Sequence, residues 1–176
     1  MEYFARSVGA KHGGSDEWYT PRNAVEVITP YIKPHSVILC PFDKAESQYV
    51  QVLTEHGHCV LHSHIEDGKD FFALDKPDVD YVISNPPYSL RDKILTRLYE
   101  WDIPFAMLFN TSGLFDSKNR TMLAMTGGVE VIYIYPRVSY IGRVDNSLVS
   151  PPFQSCYWCR NMLDEKIKFA ILDRKI

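Results

Sequence analysis

The sequence has no excess of positive charge. Its 176 residues include 19 Lys and Arg against 22 Asp and Glu, which gives a formal net charge of −3 with histidine neutral. A protein that coats nucleic acid usually needs a broad basic face to neutralise phosphates, so this balance argues against that class. A local basic rim around a cleft is still allowed, because net charge does not report how the charges are distributed.

Long hydrophobic runs are also missing. The longest apolar stretches, residues 104–109 and 129–135, have the length of strands rather than of membrane helices. The N-terminus has no apolar core of the kind that a secretory signal carries. The sequence therefore predicts a soluble protein of the cytoplasm with no membrane partner.

Cysteine is scarce, and its spacing does not complete a metal site. Cys156 and Cys159 have zinc-knuckle spacing, but no second Cys or His pair follows to supply four ligands, and a strand with two small apolar side chains is favoured. Histidines cluster between positions 56 and 64 without a matching set of Asp or Cys. We therefore expect no metal and, without an export signal, no disulfide.

Short β-rich runs, turns and helical stretches follow one another along the chain. This is the pattern of a parallel sheet with crossover helices, and the length suits one domain, residues 1–176. The predicted fold class is α/β and Rossmann-like, a mostly parallel central sheet with flanking helices and a C-terminal antiparallel hairpin. Expected strands are 37–42, 58–62, 81–84, 104–109 and 129–135, with a hairpin of 153–159 and 168–172; expected helices are 47–55, 89–100 (capped by Ser89) and 116–125.

The segment Ser84-Asn85-Pro86-Pro87-Tyr88 follows an apolar strand and precedes a helix. Ligands of open α/β sheets bind at this edge. The Asn85 side-chain carbonyl and the Pro86 backbone carbonyl can accept from a planar amino group, while Pro86 and Pro87 stiffen the backbone and Tyr88 stacks on the flat target. The alternative is a surface polyproline ligand or an ordinary turn at the end of a strand.

Together with Asp-Glu-Trp-Tyr-Thr-Pro at residues 16–21, this segment resembles the small phage-type DNA adenine methyltransferases, which are Dam-like or similar to the EcoRI methylase. The resemblance covers residues 16–137. It implies the class I methyltransferase fold, the cofactor S-adenosylmethionine, a protein encoded by a bacterium or phage, and a place in restriction-modification.

The resemblance also implies residue roles. Tyr19, Thr20 and Pro21 lie against the methyl donor, and residues 85–88 receive the adenine. The implied partner is duplex DNA with the target adenine flipped out of the stack. We expect no separate target-recognition domain, so that sequence choice would come from short loops, from a second copy in a homodimer, or from an accessory subunit.

The donor side of the expected site has no glycine after the first strand of the sheet. Residues 37–43 end in Pro-Phe-Asp, and Asp43 either accepts from the cofactor's amino or ribose groups or caps the next helix. A ribose-binding acid is expected after the second strand, where Glu66 and His64 are the candidates for ribose recognition. The resemblance assigns Asp70 to the cofactor's adenine amino group and a flanking place to Phe71; the alternative is a helix start with two core aromatics.

Other functions share these features. The same Asn-Pro-Pro-Tyr pattern serves methyltransferases that act on guanine in RNA or on a protein glutamine, and the missing glycines allow a degenerate fold used as a binding module. The Tyr-Thr-Pro segment favours adenine in DNA. Four basic residues are weak evidence for a nucleic-acid backbone near the cleft: Lys118, Arg120, Arg137 and Arg143.

Overall fold

The computed structural model describes residues 18–142 and 148–173. The helices within these ranges are α1 (Arg22–Glu26), α2 (Gln48–Glu55), α3 (Arg91–Trp101) and α4 (Lys118–Gly127). The strands are β1 (Trp18–Tyr19), β2 (Val37–Cys40), β3 (Cys59–His62), β4 (Tyr81–Ser84), β5 (Phe105–Asn110), β6 (Glu130–Tyr135), β7 (Tyr140–Gly142), β8 (Leu148–Val149), β9 (Ser155–Arg160) and β10 (Ile167–Ile171).

Seven strands form the central sheet in the order β10-β6-β9-β5-β4-β2-β3. Only β9 runs antiparallel to its neighbours. The predicted fold class, a mostly parallel α/β sheet with flanking helices, is confirmed. A second, antiparallel sheet of order β1-β7-β8 pairs β7 with β1 on one side and with β8 on the other, and none of its three strands was among those expected from the sequence. No helix in the described ranges is long and apolar enough to cross a membrane.

The last two strands do not pair with each other as expected, because β6 lies between them. β10 pairs parallel with β6 on one side, and β9 pairs antiparallel with it on the other. The buried Glu130 carboxylate explains this path, since it accepts the backbone N–H groups of Asn161, Met162 and Leu163. These bonds hold the β9–β10 connection across the start of β6 and deliver β10 to its far side.

Two hydrophobic clusters cover the two faces of the sheet. One packs α1 and α2 against the strands, and the other packs α3. The alternation of side chains along β9 sends Cys159 into the first cluster and Cys156 into the second. Both thiols are free and buried, which confirms the strand interpretation of this Cys pair and separates the two sulfurs by the thickness of the sheet.

The ends of α2 carry the residues that usually begin and end a helix, whereas the start of α3 differs from the expected cap at Ser89. The Ser47 hydroxyl accepts from the Val50 N–H at the start of α2, and Gly57 takes a φ of +82° just beyond its end. Ser89 does not cap α3: it lies in a 3-10 turn, Tyr88–Leu90, whose Leu90 N–H bonds to the Pro87 carbonyl. The prolines fix an extended backbone that tightens into this turn before the helix starts.

The end of α4 provides a stability prediction. A Cβ on Gly127 would lie 2.6 Å from two ring carbons of Tyr99. That ring is held by the Tyr99 hydroxyl, which donates to the Gly128 carbonyl at 2.6 Å and accepts from Trp158 Nε1 at 3.1 Å. We expect Gly127→Ala to lower the unfolding free energy by about 1–3 kcal/mol in urea denaturation, while Met125→Ala, an exposed change in the same helix, stays within about 0.5 kcal/mol.

Candidate functional site

The carboxyl ends of β2, β3, β4 and β5 meet at one edge of the sheet, because these strands are parallel neighbours. Asn85 directly follows β4, and Asn110 is the last residue of β5. His62 is the last residue of β3, and Asp43 follows β2 after two residues. Polar side chains from four separate parts of the sequence therefore share the edge at which α/β sheets bind ligands.

Thr20 and Asn85, 65 positions apart in sequence, are joined at this edge. Asn85 Nδ2 donates to Thr20 Oγ1 at 3.1 Å, and Thr20 is buried with 6% of its surface exposed. The small sheet holds the neighbouring Tyr19 opposite Ile141 in β7, with the Tyr19 side chain 42% exposed, and Pro21 stands at the start of α1. The Tyr-Thr-Pro and Asn-Pro-Pro-Tyr segments thus come into direct contact; Asp16 and Glu17 lie outside the described residues.

The bond to Thr20 leaves the other amide atom of Asn85 without a partner. Oδ1 is buried and accepts no hydrogen bond from any residue that the structure describes, and the same is true of the buried His62 Nδ1. A buried polar atom without a partner costs about 1–3 kcal/mol. Both atoms lie at the carboxyl edge, on either side of β2, so a polar ligand across these strand ends would satisfy them.

Asp43 faces inward from the turn after β2. It is 8% exposed, and its Oδ2 accepts from Ser84 Oγ at 2.5 Å, with a further hydrogen bond from Ser47. Burial raises the pKa of Asp43 from 3.8 to about 6, against the opposing effect of the Ser84 and Ser47 hydrogen bonds. The alternative that Asp43 caps α2 is wrong, because Ser47 is the cap. Asp43 instead links the end of β2 to the residue just before Asn85.

Asp70 and Phe71 occupy structural positions. The Asp70 carboxylate accepts from the Phe72 N–H at 3.0 Å and caps a short 3-10 turn. Phe71 is 3% exposed and packs its ring against Phe42 at 4.9 Å and Trp101 at 5.1 Å. The alternative, a helix start with two core aromatics, is close to what these side chains do, which is to form a capped 3-10 turn with Phe71 buried. Their contacts to a cofactor stay predictions.

Tyr88 is half-buried in an aromatic cluster. Its ring meets Phe109 and Phe153 edge-on, with centroids 5.9 and 6.2 Å away, and its hydroxyl lies 3.5 Å from that of Tyr140. Burial, followed by the nearby Tyr140, raises the pKa of Tyr88 well above its usual value, so the phenol stays protonated. Pro86 is buried and Pro87 exposed. The stacking role predicted for Tyr88 would use the part of its ring that Phe109 and Phe153 leave uncovered.

The four basic residues that the sequence suggested for contact with a nucleic-acid backbone differ in their surroundings. Arg120 is buried and serves the fold: its Nε donates to the Leu114 carbonyl at 2.9 Å, and its Nη1 pairs with Asp92. Lys118 and Arg137 are exposed, and Arg143 lies outside the described residues. Sequence reasoning missed Arg91, the first residue of α3, although its place directly after the Asn-Pro-Pro-Tyr turn puts it at the same edge.

The histidines cluster in sequence and separate in space. His56 pairs with Glu26, His58 Nδ1 accepts from the Ser36 N–H, and His64 Nδ1 accepts from the Glu66 N–H. In the part of the chain that the structure describes, no group of three His, Cys, Asp or Glu side chains is placed to hold a metal ion.

No protein-family model and no curated protein matches the chain. Among solved structures, the methyltransferase subunit of a type I restriction-modification system from Streptococcus thermophilus is 11% identical, with 88% of this chain and 47% of that one covered and a TM-score of 0.49. A putative RNA methyltransferase from Pyrococcus horikoshii is 14% identical (82% and 85% covered, TM-score 0.48). A dimethyladenosine transferase from Plasmodium falciparum is 12% identical (81% and 63% covered, TM-score 0.47). These structural neighbours are methyltransferases, and the chain spans about half the length of the first.

Proposed function

We propose that this protein transfers a methyl group from S-adenosylmethionine to the exocyclic amino group of adenine in DNA. The observation that carries the proposal is the Asn85 amide. Its Nδ2 is bound to Thr20, and its Oδ1 is a buried acceptor without a partner in the described structure, at the carboxyl edge of a parallel sheet. A fixed hydrogen-bond acceptor of this kind is what is needed to hold and orient the N–H groups of an aromatic amine.

The adenine amino group is a poor nucleophile because its lone pair is delocalised into the ring. Two acceptors that hold its N–H bonds, Asn85 Oδ1 and the Pro86 carbonyl, favour a pyramidal nitrogen and aim the lone pair. The buried Pro86 and the bond to Thr20 keep these acceptors in place, so that most of the rate comes from positioning. Tyr88 would hold the flat face of a base that has left the stack.

The donor side of the edge fits a nucleoside-bearing cofactor. An open cavity of about 540 Å³ lies beside the ends of β2 and β3 and is lined in part by Leu39, Leu74 and His62. Leu39 and Leu74 suit an adenine ring, and the unpaired His62 Nδ1 suits a ribose hydroxyl. S-adenosylmethionine bound there would supply an electrophilic methyl group.

Further donor contacts in the proposal are Tyr19, Thr20, Pro21, Asp43, Asp70 and Phe71. The proposed partner is duplex DNA, and sequence choice comes from short loops, from a second copy of this chain or from an accessory subunit.

Transfer of radiolabelled methyl groups tests the proposed reaction. Purified protein is incubated with labelled donor and, separately, with adenine-unmethylated duplex DNA, RNA and a protein extract. We expect label in DNA, located on adenine by sequencing that detects modified bases. Label found only in RNA or protein would refute the DNA assignment, and calorimetry that detects no donor binding at millimolar concentration would favour a binding module without catalysis.

Thr20 should act as a positioning residue for Asn85. In Thr20→Val the shape is kept and the hydroxyl is lost, so the amide is free to rotate. One hydrogen bond is worth about 1 kcal/mol, and we expect kcat to fall about fivefold, beyond any loss of donor affinity that the proposed donor contact of Thr20 brings. Thr20→Ser keeps the hydroxyl and should restore most of the rate. An unchanged kcat in Thr20→Val would mean that the bond does not orient the amide.

A further inference from the structure

Arg91 lies at the carboxyl edge, three residues beyond Tyr88. Its Nη1 donates to Asn110 Oδ1 at 3.3 Å and to the Ser112 carbonyl at 3.4 Å. Asn110 ends β5, which is the strand paired with β4. The guanidinium therefore sits over the end of the strand next to the one that carries Asn85.

The charge of Arg91 is poorly compensated. The neighbouring Arg120 is paired with Asp92 and bonds to the Gly113 carbonyl at 2.8 Å. Within residues 18–142 and 148–173, no carboxylate forms an ion pair with Arg91, and both of its hydrogen bonds are long, use one nitrogen, and go to neutral oxygens. Burial, and then the charge of Arg120, lower the pKa of the Arg91 guanidinium, with only partial compensation from Asp92 and Asp116.

A half-buried arginine whose charge is not balanced by a carboxylate favours binding of an anion. Guanidinium remains protonated at any ordinary pH, and leaving such a charge half-buried without a counter-ion is unfavourable. Nε and Nη2 make no hydrogen bond with the described residues. These N–H groups lie in one plane, in the geometry that fits two oxygens of a phosphate.

We propose that Arg91 binds a phosphodiester group of the DNA strand beside the target nucleotide. This inference rests on the proposed function and deepens it, because a phosphate contact next to the amine site selects a nucleic acid over a protein glutamine. It also assigns part of the DNA-binding surface in a chain whose net charge is −3. The long bonds to Asn110 and Ser112 would hold the guanidinium ready without neutralising it.

The test is duplex binding as a function of salt. A fluorescent, adenine-unmethylated DNA duplex is titrated by anisotropy from about 50 to 300 mM NaCl with wild type, Arg91→Gln and Arg91→Lys. We expect Arg91→Gln to bind about tenfold more weakly at low salt and to lower the slope of log Kd against log salt by about 1. Arg91→Lys should keep the slope and recover part of the affinity.

Controls separate this contact from a structural role. Arg22→Gln removes an arginine that is paired with Glu26 and Glu55 on α1, and it should leave duplex affinity unchanged. The donor affinity of Arg91→Gln should match wild type, and its urea midpoint should be no lower than that of wild type, because the uncompensated charge is removed. Equal slopes for wild type and Arg91→Gln, with wild type methylating DNA, would overturn the inference alone. Absence of both DNA binding and DNA methylation in wild type would overturn the proposed function as well, and tighter binding to RNA of the same sequence would contradict the DNA assignment.

Discussion

Asn85→Ala is expected to lower kcat for methyl transfer by at least about 10²–10³-fold, a loss of the size seen when one preorganised polar group of an active site is removed. The substitution deletes the acceptor Oδ1 and the Nδ2 that bonds to Thr20. An acceptor that aims the lone pair matters most in the transition state, when the nitrogen becomes pyramidal. The loss should therefore appear in kcat rather than in the affinity for the donor.

Two measurements check this expectation. Steady-state methylation of duplex DNA gives kcat, and calorimetry gives donor affinity, which should stay within a few-fold of wild type. Asn119→Ala is the matched control, because the Asn119 side-chain amide on α4 donates to the Thr96 hydroxyl and to the Asp92 backbone carbonyl. An Asn85→Ala variant with near-normal kcat would contradict the role of the Asn85 amide, on which the proposed function rests.

Asp43→Asn is expected to raise the unfolding free energy at neutral pH by about 2 kcal/mol. The pKa of Asp43 rises from 3.8 to about 6 on folding, mainly through burial. One pKa unit corresponds to about 1.4 kcal/mol. At a pH above both pKa values, the ionised Asp43 carboxylate therefore destabilises the folded state by about 3 kcal/mol. Asparagine removes this cost and can still accept from Ser84, but its buried NH₂ needs a partner, so the net gain is smaller.

The sign of this effect can be tested across pH. Because the pKa of Asp43 is higher in the folded state than in the unfolded state, protonated Asp43 favours the folded state. This contribution to stability is complete below pH 3.8 and is lost as the pH rises through about 6. The difference in unfolding free energy between Asp43→Asn and wild type should therefore be small below 3.8 and reach its plateau above about 6, in urea denaturation at a series of pH values. Asp75→Asn, a change of the same kind at an exposed position, is measured alongside as the control.

The same variant tests whether Asp43 contacts the donor. A loss of donor affinity of tenfold or more in Asp43→Asn would support the proposed contact. Unchanged affinity would leave Asp43 as a group that links the turn after β2 to Ser84. Greater stability combined with weaker binding would be a trade of stability for function, which is common where a charge is buried at a site.

Elements with strong local signals were predicted closely. The strand before the Asn-Pro-Pro-Tyr turn was expected at 81–84 and is Tyr81–Ser84, because four apolar or small residues bounded by polar and proline residues define both ends. The helix expected at 47–55 is likewise found as Gln48–Glu55, although its cap is Ser47 and not Asp43. Strands β7 and β8 were missed: they have three and two residues, too few to show alternation, and exist through pairing with each other and with β1.

The sequence by itself determined the type of fold and the strand-and-turn shape of residues 84–88, the proposed amine-binding segment, because strand alternation, helical spacing and two successive prolines act over a few neighbouring residues. The tertiary structure decided the rest. It placed β6 between the last two strands, brought Thr20 to Asn85 and Asp43 to Ser84, and left Arg91 without a carboxylate partner among the described residues. Such contacts join residues far apart in the chain, and whether a charge or an amide is satisfied depends on burial, which no local pattern encodes.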